Sequence, residues 1–114
     1  MGPIDFDKYE ALGNDFVVVD ASVLGDLDGA LLARAICERR RGVGADGLLW
    51  LVPGGDAHLV NVFNADGGLA ETSGNGLRCA ARWLLDHGFA TPGIDIPLVS
   101  GAGASPARVD GGEI

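Results

Sequence analysis

Residues 61–85 read NVFNADGGLAETSGNGLRCAARWLL, an alternating strand that enters a glycine-punctuated loop and passes from there directly into a helix. Val60, Val62 and Ala65 carry the strand alternation, and Leu77, Ala80, Ala81, Leu84 and Leu85 recur at helical spacing. Between the two lies Ser73-Gly74-Asn75-Gly76. Two glycines let the backbone turn sharply and leave its amides open to a ligand with no Cβ in the way. Ser73 or Asn75 can cap the helix start. The free amides and the helix dipole then face whatever sits above Ser73, most naturally a carboxylate, a phosphate or a developing oxyanion. Taken alone, the segment reads equally well as an ordinary capped helix behind a glycine-rich turn.

Outward from this junction the pattern gives strand, strand, helix, strand, strand, helix, strand. Asp5 to Leu12 and Phe16 to Asp20 form a hairpin around Gly13-Asn14, and Leu31 to Arg40 an amphipathic helix with Leu31, Leu32, Ala35 and Ile36 inward. Gly42 to Gly47 is a glycine-rich loop that lacks the lysine and spacing of a P-loop. Leu48 to Val52 and His58 to Asn64 are strands joined through Pro53-Gly54-Gly55. The helix from Asn75 to His87 is apolar over most of its circumference, with Arg78, Arg82 and Asp86 on one polar stripe. A strand at Ile94 to Val99 follows, then a small-residue tail from Ser100 and a strand start at Ala107 to Asp110.

With 114 residues and 47 % of them hydrophobic, the chain has the size and apolar content of a single domain with one core. Its apolar runs are too short to span a bilayer. A net charge of −8 argues against nucleic acid, whose binding needs a basic face. Cys37 and Cys79 sit within helical runs and read as small buried hydrophobes. Two such cysteines without a signal peptide point away from a disulfide and towards a reducing, cytoplasmic setting.

Four blocks, ALGNDFVVVD (11–20), RRGVGADGLL (40–49), FNADG (63–67) and SGNGLRCAAR (73–82), come in the order and spacing of the amino-terminal half of diaminopimelate epimerase. The chain resembles that family from about Phe6 to about Ser100. The resemblance implies an α+β lobe, residues 1–114, in which a curved mixed or antiparallel sheet wraps a central helix. It also implies an epimerase or racemase that uses neither pyridoxal phosphate nor a metal. In that chemistry two cysteines flank the substrate α-carbon, one thiolate removing the α-proton and the other thiol delivering a proton to the opposite face. The family positions place Asn14, Asn64, Gly74 and Asn75 at the substrate. Asn14 and Asn64 also stand in turn contexts, GND and NADG, that favour asparagine for local reasons. An asparagine amide carries donor and acceptor together, and so suits both the ammonium and the carboxylate of an amino acid. Asp46 reads mainly as a loop-fixing residue, and Arg41 as solvated or paired with a carboxylate.

The chain departs from the family at two points. Where the family has CGNG this chain has SGNG, so the position of the catalytic thiol is held by Ser73. A thiol ionises near pH 8.5 and lower still at a helix amino terminus, whereas a hydroxyl needs an adjacent base. His87 lies at the far end of the same helix, roughly 18 Å from Asn75 at 1.5 Å per residue, and His58 opens the preceding strand. Glu71 is a weaker candidate base, and Thr72 with Ser73 suits hydrogen bonding better than proton abstraction. The second departure is length, since a two-lobe family takes one cysteine from each lobe and this chain spans one.

Three readings stand open on the residues. One is a subunit of a split, cofactor-independent amino-acid epimerase or racemase, or of a dehydratase or isomerase needing one strong base, with the site completed by a second lobe on another chain. The second is a non-catalytic binding or scaffolding subunit. The third is a fragment with no independent function. A heterodimer with a cysteine-bearing partner fits the first, and a homodimer facing Ser73 with Ser73 fits the second. A lone lobe should expose an apolar interface of several hundred square ångströms. The ligand class is an amino acid or a small carboxylic acid.

Overall fold

The computed structural model describes residues 4–70, 74–100, 103–104 and 107. Glu71, Thr72, Ser73 and positions 108–110 of the expected last strand lie outside the described residues. Among the described residues six strands form one sheet in chain order: β1 (Asp7–Ala11), β2 (Asn14–Asp20), β3 (Gly47–Val52), β4 (His58–Asn64), β5 (Leu98–Ser100) and β6 (Gly103–Ala104). Helix α1 (Gly29–Cys37) joins β2 to β3, and α2 (Gly74–Asp86) joins β4 to β5. Both helix-linked pairs are parallel, while β1–β2, β3–β4 and β5–β6 are antiparallel. The fold is α+β with a mixed sheet, as the sequence implied.

This connectivity explains where the helices go. The pair β2–β3 runs opposite to β4–β5, and a right-handed crossover places its helix on opposite faces for opposite strand directions. Two cores result. On one face Phe16, Val18, Leu49, Leu51, Val60, Val62 and Leu98 meet Cys79, Ala80, Ala81, Trp83 and Leu84 of α2. On the other, Val17, Val19 and Leu48 meet Leu32, Ala33 and Cys37 of α1. Val17, Val18 and Val19 are therefore all buried, because β2 is covered from both sides.

Four details differ from expectation. The hairpin turns on Leu12-Gly13, both with positive φ, so that Asn14 is the first residue of β2. Ala65 does not continue β4; it lies exposed in the turn that the Gly67 amide closes onto the Asn64 carbonyl at 2.9 Å. The expected strand at Ile94 to Val99 is shorter, with β5 confined to Leu98–Ser100 and Ile96 bridging Ala107. Helix α1 begins earlier and ends earlier than expected. Asp28 caps it by accepting from the Ala30 and Leu31 amides, and Glu38, with extended backbone, stops it after Cys37. Of the expected inward residues Leu32 is buried and Ile36 packs partly buried against the same core, joined by Ala33 and Cys37, whereas Leu31 and Ala35 are exposed. The helix is seated by Gly29, where an added Cβ would come within 2.7 Å of the Phe63 ring, and that contact turns positions 33 and 37 inward with it.

Both cysteines are free and buried, as read from the sequence. No helix among the described residues is long and apolar enough to cross a membrane.

Candidate functional site

Strand directions and register collect one group of residues at one end of the sheet. Ala11 pairs with Asn14, Phe16 with Gly47, and Gly47 with Asn64. The end of β1, the starts of β2 and β3 and the end of β4 therefore share a rim, and α2 begins there before running back along the sheet. His58 and His87, at the start of β4 and just past the end of α2, belong to the opposite end.

Asn14 and Asn75, 61 residues apart in sequence, meet directly: the Asn75 Nδ2 donates to Asn14 Oδ1 at 2.6 Å. Asn14 Nδ2 donates in turn to Asp46 Oδ2 at 3.3 Å, and Asn75 Oδ1 accepts from Arg78 Nη1 at 3.2 Å. Gly74, the first residue of α2, is exposed, with open space where a Cβ would project. Asn64 lies on the same rim but in its own turn, its amide donating to the Gly68 carbonyl at 2.7 Å. Ser73 immediately precedes this helix start and lies outside the described residues.

An ion-pair cluster supports Asn14 from below. Asp15 Oδ1 accepts from Arg39 at 3.2 Å and from the Asp46 amide at 2.9 Å, while Asp15 Oδ2 meets Lys8 Nζ at 3.1 Å. The Asp15 amide donates to Asp46 Oδ2 at 3.0 Å, and Asp46 Oδ1 accepts from Arg39 at 3.2 Å. This exchange between two aspartates pins the start of β2 to the start of β3. Burial pushes the Asp15 carboxyl up, but hydrogen bonds from Arg39, Lys8 and the Asp46 backbone outweigh it and hold the group well below the usual carboxylate range. Asp46 is thus a loop-fixing residue, as read; the arginine that pairs here is Arg39, whereas Arg41 is exposed. A polar groove of about 520 Å³ opens on this side of the rim, with walls that include Gly13, Asp15, Arg39 and Asp46 but none of Asn14, Asn64, Gly74 and Asn75.

The loop that delivers Asp46 is held by close packing at Gly42. A Cβ there would stand 2.3 Å from the Ala35 carbonyl oxygen and 2.7 Å from that of Ile36. The amides of Val43 and Gly44 donate to the same Ile36 carbonyl. Only glycine lets the chain lie so close to the end of α1.

Neither cysteine and neither histidine offers a base to the start of α2. Cys79, one turn in, is fully buried, and burial followed by the nearby Glu10 carboxylate pushes its thiol up to about 11. His58 accepts the Gly54 amide on Nδ1 at 2.8 Å, and burial lowers its pKa. His87 stacks on Trp83 with ring centroids 3.9 Å apart and pairs with Asp7 at 3.2 Å. Both histidines serve the far end of the lobe.

A family model for diaminopimelate epimerase matches residues 6–112. The chain belongs to the diaminopimelate epimerase family. A diaminopimelate epimerase from Moorella thermoacetica is 44 % identical over 115 residues, a match that covers 96 % of this chain and 40 % of that one. The chain thus spans about two-fifths of the length of such relatives. A probable proline racemase from Agrobacterium radiobacter K84, solved with bound carbonate, superposes with a TM-score of 0.71 at 21 % identity, covering 97 % of this chain and 39 % of that one. A hydroxyproline epimerase from Agrobacterium vitis, solved with trans-4-hydroxy-L-proline, gives 0.66 at 20 % identity over 89 % and 35 %. These two share the fold of the chain described here.

Asp15, Arg39 and the partnership of Arg78 with Asn75 were not read from the sequence. The Asp15–Asp46 exchange spans 31 positions and depends on the parallel register of β2 and β3. The one local signal was charge: Asp15 and Asp46 lie within the blocks that set the rim, and Lys8 and Arg39 precede them.

Proposed function

We propose that this chain, residues 1–114, is one lobe of a cofactor-independent amino-acid epimerase or racemase, its site completed by a second lobe on another chain. Within that reading the ligand's α-carbon sits above the start of α2. Asn14, Asn64, Gly74 and Asn75 hold its polar groups, and Ser73 occupies the position from which a proton is delivered to one face. The second lobe supplies the thiolate that removes the α-proton from the other face. Loss of that proton places negative charge on the ligand's carboxylate, and open amides at a helix amino terminus stabilise such charge. The same proton loss followed by departure of a β-hydroxyl as water would make the complex a dehydratase, and return of the proton to another carbon would make it an isomerase.

The observation that carries the reading is the Asn14–Asn75 bond, which draws two family ligand positions together beside the open face of Gly74. The absence of a thiol at 73 favours a second reading, a binding subunit that holds an amino acid or small carboxylic acid without transforming it. Chiral chromatography separates the two. A panel of amino acids, diaminopimelate included, is incubated with this chain alone and with a cysteine-bearing second lobe. Inversion only in the mixture, lost in Ser73→Ala and raised in Ser73→Cys, supports the epimerase. Ligand binding with no inversion in any mixture supports the binding subunit.

A further inference from the structure

The side chains Asp46, Asn14, Asn75 and Arg78 form an unbroken chain of hydrogen bonds along the rim, at 3.3, 2.6 and 3.2 Å. Its two ends are one-way groups. A carboxylate oxygen without a proton only accepts, and a guanidinium only donates. An asparagine amide, by contrast, is nearly symmetric in shape and can present either its oxygen or its nitrogen to a neighbour. With the carboxylate at one end, Asn14 must turn its nitrogen to Asp46 and its oxygen to Asn75. With the guanidinium at the other, Asn75 must turn its oxygen to Arg78 and its nitrogen to Asn14. The two requirements agree. Reversing either amide would set two acceptors or two donors against each other at both of its contacts.

We propose that Asp46 and Arg78 are positioning residues, acting from opposite ends to fix the polarity of the Asn14–Asn75 amide pair, so that each amide meets a ligand in one orientation. Each Nδ2 uses one N–H in the relay and keeps a second outside it, and each Oδ1 likewise keeps one lone pair. In the proposed function, on which this inference rests, the relay fixes where the spare donor and the spare acceptor of each amide stand against the ligand's polar groups. Arg39 holds the other oxygen of Asp46 without entering the relay, so it serves as the control.

The test needs no ligand. In the ¹⁵N-labelled full chain the side-chain amide signals of Asn14 and Asn75 are assigned by loss in Asn14→Ala and Asn75→Ala, then followed in Asp46→Asn, Arg78→Met and Arg39→Gln. Asp46→Asn should displace the Asn75 pair, which it does not touch, as well as the Asn14 pair. Arg78→Met, at an exposed position where folding is not at stake, should displace the Asn14 pair from the other end. Arg39→Gln should leave both close to their original positions. An Asn75 pair unmoved in Asp46→Asn together with an Asn14 pair unmoved in Arg78→Met overturns the relay. Where the unaltered chain and a second lobe exchange the α-proton of an amino acid, Arg78→Met should raise KM about tenfold, the value of one charge-assisted hydrogen bond, with kcat little changed. An unchanged KM overturns the positioning role. Absence of exchange by the unaltered pair counts against the proposed function instead, and the amide spectra still decide the relay.

Discussion

Single residues at the rim carry the sharpest expectations. Gly42 is packed against three carbonyl oxygens, those of Ala35, Ile36 and Glu38, none of which can withdraw without unseating the end of α1. Gly42→Ala should therefore cost about 2–3 kcal/mol in a urea titration, although its methyl group is harmless at most exposed positions. Asp15 sets the acid limb of stability. Its folded carboxyl lies below the unfolded value of about 3.9, so its contribution is complete above that pH and is lost as pH falls towards the folded value. Asp15→Asn should lower stability at pH 7 and flatten the decline below pH 4, read from melting temperatures across pH. Burial raises the Cys37 thiol as well as that of Cys79, the latter to about 11. Neither should react with a thiol reagent at pH 8 while the lobe is folded, and both should react at once in denaturant. A fast-reacting native thiol would contradict the structural role assigned to both.

Between elements, β1 is tied to the last turns of α2 by polar contacts rather than by packing alone. Trp83 Nε1 donates to Asp7 Oδ2 at 2.9 Å, His87 Nε2 meets the same oxygen at 3.2 Å, and the Tyr9 hydroxyl donates to Asp86 at 2.5 Å. Asp7→Ala should cost about 1–2 kcal/mol and change Trp83 fluorescence, because it orphans an indole N–H. The element order was legible in the sequence because strand alternation, the Pro53-Gly54-Gly55 turn and the glycines before α2 are all local signals. The inward face of α1 was legible only in part. Leu32 and Ile36 face the core as expected, but Leu31 and Ala35 give way to Ala33 and Cys37, a rotation set by Gly29 against Phe63, a contact between elements. The site divides in the same way. Asn14, Asn64 and Asn75 stand out as turn or cap residues within family blocks, while Asp46, which orients Asn14, reaches it only when β2 and β3 pair in parallel.

At the scale of the whole molecule, the lobe is closed around α2 yet carries large apolar side chains in solvent at both ends. Leu12 and Leu69 are 82 % and 64 % exposed on the rim, and Ile94 is 60 % exposed at the far end. The exposed leucines flank the proposed ligand position, where a second lobe would cover them. That arrangement accords with a chain spanning about two-fifths of the length of its diaminopimelate epimerase relatives. The most direct test is ¹H NMR of an amino acid, diaminopimelate first, in heavy water, following its α-proton with this chain alone, with a cysteine-bearing second lobe alone, and with both. Loss of the α-proton signal only when both are present is the predicted result. Signal loss with the second lobe alone, or none in the mixture despite bound ligand, would contradict the claim that this lobe supplies half of a working site.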